Sequence, residues 1–273
     1  MKKVPDILLN DGTKIPQIGL GLYLIKDEAD FMNAFKIAYD NNYRLFDSAQ
    51  FYKNEHFLAK AIKEYRINRK DIFITTKIAV NNFGYKRTLK SFDQSLKKLD
   101  SDYFDLVLLH FPVPVLRKQS WKALEKIKLQ GAARSIGVSN YTIKHLEELK
   151  KYANILPSVN QVELHLFLQQ PKLLDYCNKN NIKIEAYAPL AHGLPMDNPI
   201  VLRMAKKYNK TYAQIMLRFD YQLGLIIIPK SITKERIIQN INILDFEITA
   251  EDFNLLKTLD KKLRTCWDPT RIP

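Results

Sequence analysis

The chain has 273 residues, 46% of them hydrophobic, with 43 Lys and Arg against 29 Asp and Glu and a formal charge of +14. That length suits one large domain with a sizeable core, and no run approaches the roughly 18–20 apolar residues needed to span a bilayer. The start, Met1-Lys2-Lys3-Val4-Pro5-Asp6, is basic without the apolar run of a signal peptide, so the expectation is a soluble cytoplasmic protein.

The lysines are scattered along many segments. The charge is therefore read as solvated surface rather than the clustered footprint of a nucleic-acid binder. Attraction of a phosphate-bearing ligand is the third reading. Cys177 and Cys266 lie in no CxxC or Cys/His spacing, which predicts free thiols and no zinc site.

In chain order, Asn10-Asp11-Gly12-Thr13 is a strong turn signal between Ile7-Leu8-Leu9 and Lys14-Ile15-Pro16, and predicts a hairpin over 7–16. Strands are predicted at Gln17–Leu22, Arg44–Asp47, Ile72–Lys77, Leu106–His110, Arg134–Ser139, Val159–Glu163, Lys183–Ala188 and Leu225–Pro229. Several are almost wholly apolar, as strands buried on both faces are. Between them the spacing is helical: Phe31, Phe35 and Ala38, then Leu89, Phe92, Leu96 and Leu99, then Leu146 and Leu149. A helix over Pro171–Asn181 opens on proline, where a missing N–H costs little. A strand–helix alternation repeated eight times predicts an α/β fold of the (β/α)8 barrel type, one domain over 1–273 with a short tail at 264–273. A doubly wound sheet is the alternative. It calls for a GxGxxG turn, and Gly19-Leu20-Gly21 supplies only GxG.

In a β/α barrel the carboxyl ends of all strands meet at one mouth. Here those ends carry Asp47, Lys77, His110, Ser139-Asn140, Gln161 and Glu163, Tyr187 and Lys230, with Tyr52 five residues beyond Asp47. A phenol beside an ammonium can deliver a proton to oxygen. Its reference pKa is about 10, and Lys77 is expected to lower it, with Asp47 holding Lys77 and His110 orienting a carbonyl.

At these residues the chain resembles the aldo-keto reductases, the small bacterial and yeast-type aldehyde and diketogluconate reductases in particular. The matching segments are Tyr43-Arg44-Leu45-Phe46-Asp47-Ser48-Ala49 with Tyr52, Asn54 and Glu55, then Thr75-Thr76-Lys77, Leu108-Leu109-His110 and Gly137-Val138-Ser139-Asn140. Asn160-Gln161-Val162-Glu163-Leu164-His165, Ala186-Tyr187-Ala188-Pro189-Leu190 and Ile228-Pro229-Lys230-Ser231 follow in the same order. The resemblance implies reduction of aldehydes or ketones by NADPH, with Tyr52 as general acid, Asp47, Lys77 and His110 as its partners, and no metal. It implies that Ser139, Asn140 and Gln161 hold the nicotinamide carboxamide and that Tyr187 stacks on the ring. Lys230, Ser231 and Arg236 would contact the 2′-phosphate and Asn240 the adenine, with Gly21, Leu22 and Leu190 also at the cofactor. Tyr23, Phe111 and Trp267 would line the substrate pocket.

Asn42 and Ala59 stand where the family usually has glycine, and only backbone adjustment is expected there. Leu22, Phe111 and Leu166 also depart from common choices and leave the carbonyl unidentified. The short tail predicts an open cleft. The expected partner is a small carbonyl compound, with no nucleic acid or membrane, and the protein a monomer. The alternatives are a metal-assisted lyase or hydrolase on the same barrel, using His165 with His110, Asp47 and Glu163, and a non-catalytic nucleotide-binding regulator. His165 is read as a loop-structuring residue instead.

Overall fold

The computed structural model describes residues 3–194 and 196–273. Met1, Lys2 and Pro195 lie outside them, and with Met1 and Lys2 most of the basic start. The turn signal makes the expected hairpin. Strand β1 (Asp6–Leu8) pairs antiparallel with β2 (Lys14–Pro16), Ile7 facing Ile15. Gly12 carries the turn at φ 83°, where a side chain would be strained.

Eight strands follow: β3 (Gly19–Gly21), β4 (Leu45–Asp47), β5 (Phe73–Ile78), β6 (Phe104–Leu109), β7 (Ala133–Ser139), β8 (Val159–Glu163), β9 (Lys183–Tyr187) and β10 (Ile226–Ile227). They lie side by side in chain order. Every neighbouring pair is parallel. A parallel bridge from Ile18 to Ile227 joins the last strand to the first and closes the barrel. The sequential, closed order disposes of the doubly wound alternative.

Two apolar environments hold this cylinder. Inside it, Leu45, Phe73, Leu106, Leu108, Val159, Ile226 and Ile228 pack on Leu9 and Ile15 of the hairpin. The hairpin thus plugs the amino end. Its turn is tied down there, with Asn10 Nδ2 donating to the Pro157 carbonyl at 3.0 Å, and Asp11 accepting from Lys128, Ser135 and Ser158 at 2.6, 2.8 and 3.0 Å.

Outside, helices lay their apolar stripes on the strands. Helix α1 (Glu28–Asp40) buries Phe31, Phe35 and Ala38, and α3 (Tyr85–Leu99) buries Phe92 and Leu99. Each of these Phe and Leu side chains contributes about 1.5–3 kcal/mol when removed from water. The remaining helices of this layer are α2 (Glu55–Glu64), α4 (Arg117–Leu129), α5 (Ile143–Lys150), α6 (Pro171–Lys179), α8 (Tyr212–Gln222) and α9 (Lys234–Ile241). Helix α6 opens on Pro171 as predicted but stops at Lys179, and Asn181 turns left-handed at φ 54°. Two further helices, α7 (Pro199–Tyr208) and α10 (Ala250–Lys257), exceed one per strand and share a separate apolar cluster with α8, including Val201, Met204, Phe219 and Leu256.

Asn42 explains its own departure from glycine. It sits at φ 69° after α1, in the left-handed region that asparagine tolerates better than other residues with a Cβ.

Candidate active site

Side chains alternate along a strand. The step that puts Leu45 inside the barrel therefore puts Asp47 inside as well, two residues nearer the mouth. Lys77, only 1% exposed, reaches across from β5. Its Nζ donates to Asp47 Oδ1 at 2.5 Å, to the Ser48 carbonyl at 2.9 Å and to Tyr52 Oη at 3.2 Å. Tyr52 ends a single 3-10 turn, Gln50–Tyr52. Asn54 anchors that loop: its Oδ1 accepts from Ser48 Oγ at 2.8 Å, and its Nδ2 donates to the carbonyls of Leu22 and Ile25. His110 follows β6 and presents its ring edgewise to Tyr52, centroids 5.8 Å apart. Four residues scattered over the sequence thus form one cluster.

The electrostatics corrects one expectation. Lys77 does touch the Tyr52 oxygen, but the phenol is held well above its usual pKa, first by burial and then by Asp47, Tyr23 and Glu185. Burial outweighs the single ammonium, whose charge is already taken up by Asp47. Tyr52 is accordingly a phenol, a group with a proton to give. Burial likewise pushes Asp47 up while Lys77 and the Gln161 amide pull it back. His110 falls to about 3 through burial and then Lys77, and is a neutral imidazole.

Around this cluster lies a ring of polar groups. Ser139 Oγ donates to the Gln161 carbonyl at 2.9 Å. Asn140 turns at φ 65°, and its Nδ2 donates to the His110 carbonyl and to Ser139 Oγ. Asn140 Oδ1 accepts from the Tyr187 hydroxyl at 2.8 Å. Gly21 donates its N–H to the Pro229 carbonyl, and a Cβ there would meet the Ile228 oxygen at 2.9 Å. Only glycine lets the end of β3 lie against the segment leading to Lys230. Lys230 and Arg236 are exposed, Ser231 and Asn240 buried, and Leu190 half-buried. Ser231 Oγ accepts from the Thr233 N–H at 3.1 Å, and Thr233, at the N-cap of α9, makes no side-chain cap bond. Uncapped N–H groups beside two cations suit a phosphate. The Leu22 side chain is fully buried in the core, and its backbone N–H donates to the Asp47 main-chain carbonyl.

The rim is aromatic. Tyr23 lies 5.0 Å from Tyr52, and Trp267 meets both Phe111 and Phe51 edge-on at 6.3 Å. Phe51 is a rim residue that sequence reasoning missed; its place beside Tyr52 was the available signal. The tail crosses the mouth because buried Glu163 accepts from Thr265 N and Oγ1, Cys266 N and Arg264. His165, also fully buried, is bound within its own loop. Its Nε2 faces Glu163 at 3.4 Å, and its Nδ1 accepts from the Phe167 N–H. Among the described residues no group of three or more His, Cys, Asp and Glu is placed to hold a metal ion. An open depression of about 730 Å³ lies at the plugged end, lined by Lys128 and Arg134. These two cations are paired with Asp11 and Asp105 respectively, and beside them and Lys14 no acid or imidazole lines the depression, so it offers no comparable chemistry.

The family profile described as "Aldo/keto reductase family" matches residues 17–261. The chain belongs to the aldo/keto reductase family. It is 42% identical to a glyoxal reductase of Bacillus subtilis (strain 168), over 97% of this chain and 96% of the relative. It is 38% identical to the methylglyoxal reductase DkgA of Escherichia coli (strain K12), over 97% of each. Among solved structures, an aldo-keto reductase of Bombyx mori in complex with NADP superposes with a TM-score of 0.92 at 31% identity, covering 97% of this chain and 96% of that one. An aldo-keto reductase from a Medee basin deep-sea metagenome library gives 0.94 at 39% identity, covering 98% and 99%. No helix among the described residues is long and apolar enough to cross a membrane.

Proposed function

We propose that this protein reduces small aldehydes or ketones to alcohols with NADPH, Tyr52 delivering the proton. The observation that carries the reading is the Lys77 ammonium, which bonds Asp47 and Tyr52 at once. The phenol keeps its proton until a carbonyl oxygen gathers negative charge and takes it. Lys77 then stabilises the phenolate left behind, and Asp47 and the Ser48 carbonyl fix Lys77 in place for that task. His110, neutral, orients the carbonyl oxygen by hydrogen bonding without competing for the proton.

NADPH, when bound, supplies the hydride for the carbonyl carbon. Ser139, Asn140 and Gln161 are the amide and hydroxyl groups suited to its carboxamide, and Tyr187 to its ring face. Lys230, Ser231, Arg236 and the first turn of α9 suit the 2′-phosphate, with Asn240 beside them, and Gly21, Leu22 and Leu190 border the cofactor. Tyr23, Phe51, Phe111 and Trp267 border the substrate. The relatives named for glyoxal and methylglyoxal favour compact aldehydes. Scattered surface lysines and two free cysteines accord with a cytoplasmic monomer that does not bind nucleic acid, all within one barrel domain.

The test is Tyr52→Phe. Turnover with glyoxal, methylglyoxal and simple aldehydes should fall by about 10²–10⁴-fold, the usual worth of a positioned acid, while NADPH binding by fluorescence stays intact. Near-normal turnover would remove Tyr52 from the reaction.

A further inference from the structure

Behind the proposed proton donor sits an acid with no part in this scheme. Glu185 precedes Tyr187 by two residues on β9, so it too points into the barrel, one layer below the mouth. It is fully buried. Its Oε2 accepts from Gln161 Nε2 at 2.8 Å, and the same nitrogen donates to Asp47 Oδ2 at 2.8 Å. Its Oε1 has no hydrogen-bond partner.

The groups facing Glu185 are few. Strand β10 presents Ile226 in register, and β8 presents Gln161, which does not titrate. The charged groups are Asp47 from β4 and Lys77 from β5. One ammonium thus serves two carboxyls, and it touches only Asp47. A carboxylate at Glu185 would be a buried anion with one oxygen unpaired, which costs more than a neutral acid in the same place. Burial, then repulsion from Asp47, push its carboxyl up to about 8. Asp47 keeps the charge, and Glu185 keeps its proton.

We propose that Glu185 is a positioning residue of the reaction: protonated, it leaves Asp47 as the only anion beside Lys77; ionised, it adds a second negative charge behind Gln161 and makes Tyr52 hold its proton more tightly. A negative charge on Glu185 is among those that raise the Tyr52 phenol, after burial, Asp47 and Tyr23. Reduction needs Tyr52 as a phenol, and alcohol oxidation needs it as a phenolate. Losing the Glu185 proton in mildly alkaline solution therefore extends the range in which the site reduces. It also delays the rise in oxidation that alkali would otherwise bring. The proposal rests on Tyr52 as the proton donor.

Glu185→Gln fixes the neutral form at nearly the same volume. The measurement is kcat/KM in both directions, carbonyl with NADPH and alcohol with NADP, from about pH 6 to about pH 9.5. The variant-to-wild-type ratio for oxidation should rise with pH by about tenfold, the effect of one pKa unit on Tyr52. For reduction the ratio should stay flat over the same range, because Tyr52 remains a phenol in both proteins. Profiles that stay parallel in both directions would show a purely structural residue and overturn the proposal. A second measurement uses the wild-type protein alone, labelled with ¹³C at glutamate carboxyls. Its infrared spectrum should show a protonated glutamate carboxyl at neutral pH that disappears toward about pH 9.5. Absence of that band overturns the proposal even if the variant does not fold. Turnover surviving Tyr52→Phe would sink the proton-donor reading while leaving the infrared result standing, so the two failures are distinguishable.

Discussion

The two ends of the barrel are made by the same strands, yet one packs hydrocarbon and the other gathers charge. On β4 the step from Leu45 to Asp47 crosses from the apolar floor to the polar mouth, and on β8 the step from Val159 to Gln161 does the same. At the floor, hydrocarbon meets hydrocarbon and the hairpin. At the mouth, an ion pair is held with hardly any water access, an arrangement whose desolvation rarely leaves a net gain in stability. The difference teaches where each property resides: the floor and helix layer supply the stability that lets the mouth hold its charges in a fixed geometry.

That division can be broken. Lys77→Met should both abolish turnover and destabilise the fold by about 3–5 kcal/mol, because Asp47 is left buried without its cation; a denaturant titration reads the second effect. Leu106→Ala should cost a comparable ~2–5 kcal/mol by opening a cavity in the floor, while the folded protein keeps its turnover. If Leu106→Ala removes activity without loss of stability, the two ends are not separable in this way. Arg236→Ala should weaken NADPH by about 10–100-fold, the worth of a charge-assisted bond, and leave NADH nearly unchanged in parallel binding titrations.

The smallest effect concerns the tail. Burial pushes Glu163 up, but bonds from His165, Thr265 and Cys266 hold it below the usual carboxylate range. A depressed folded value means the contribution is present above the unfolded pKa of about 4.3 and is lost as pH falls through the folded one. Trp267 fluorescence should therefore report a tail that stays docked at neutral pH and loosens only below about pH 4. Trp121 is fully buried and adds a constant background. Glu163→Gln should loosen the tail at neutral pH by about 1 kcal/mol.

Much of this was legible in the sequence. Runs such as Leu106-Val107-Leu108-Leu109 place strands because few other structures bury every side chain, and all eight strands lie within two residues of their predicted bounds. Asp47, Lys77, His110 and Gln161 could be found by looking at strand ends. Glu185 was not, since it stands one layer inside the strand, where only the alternation of the folded sheet reveals that it faces Gln161. The sign of the Tyr52 shift also escaped, because the approach of Lys77 follows from topology but the depth of burial does not. Glu163 looked like a site residue from its position at the end of β8, and its bonds to the tail depend on a segment a hundred residues later.

The hairpin at the floor has a consequence for traffic. With Ile15 and Leu9 stoppering the amino end and Asp11 bolting the stopper in place, whatever reacts must arrive and depart by the mouth. Two partners sharing one doorway cannot come and go independently. On the proposed placement, the one seated deeper, beside Gln161, is hemmed in by the one near Trp267, so the plug imposes a queue before any bond is made.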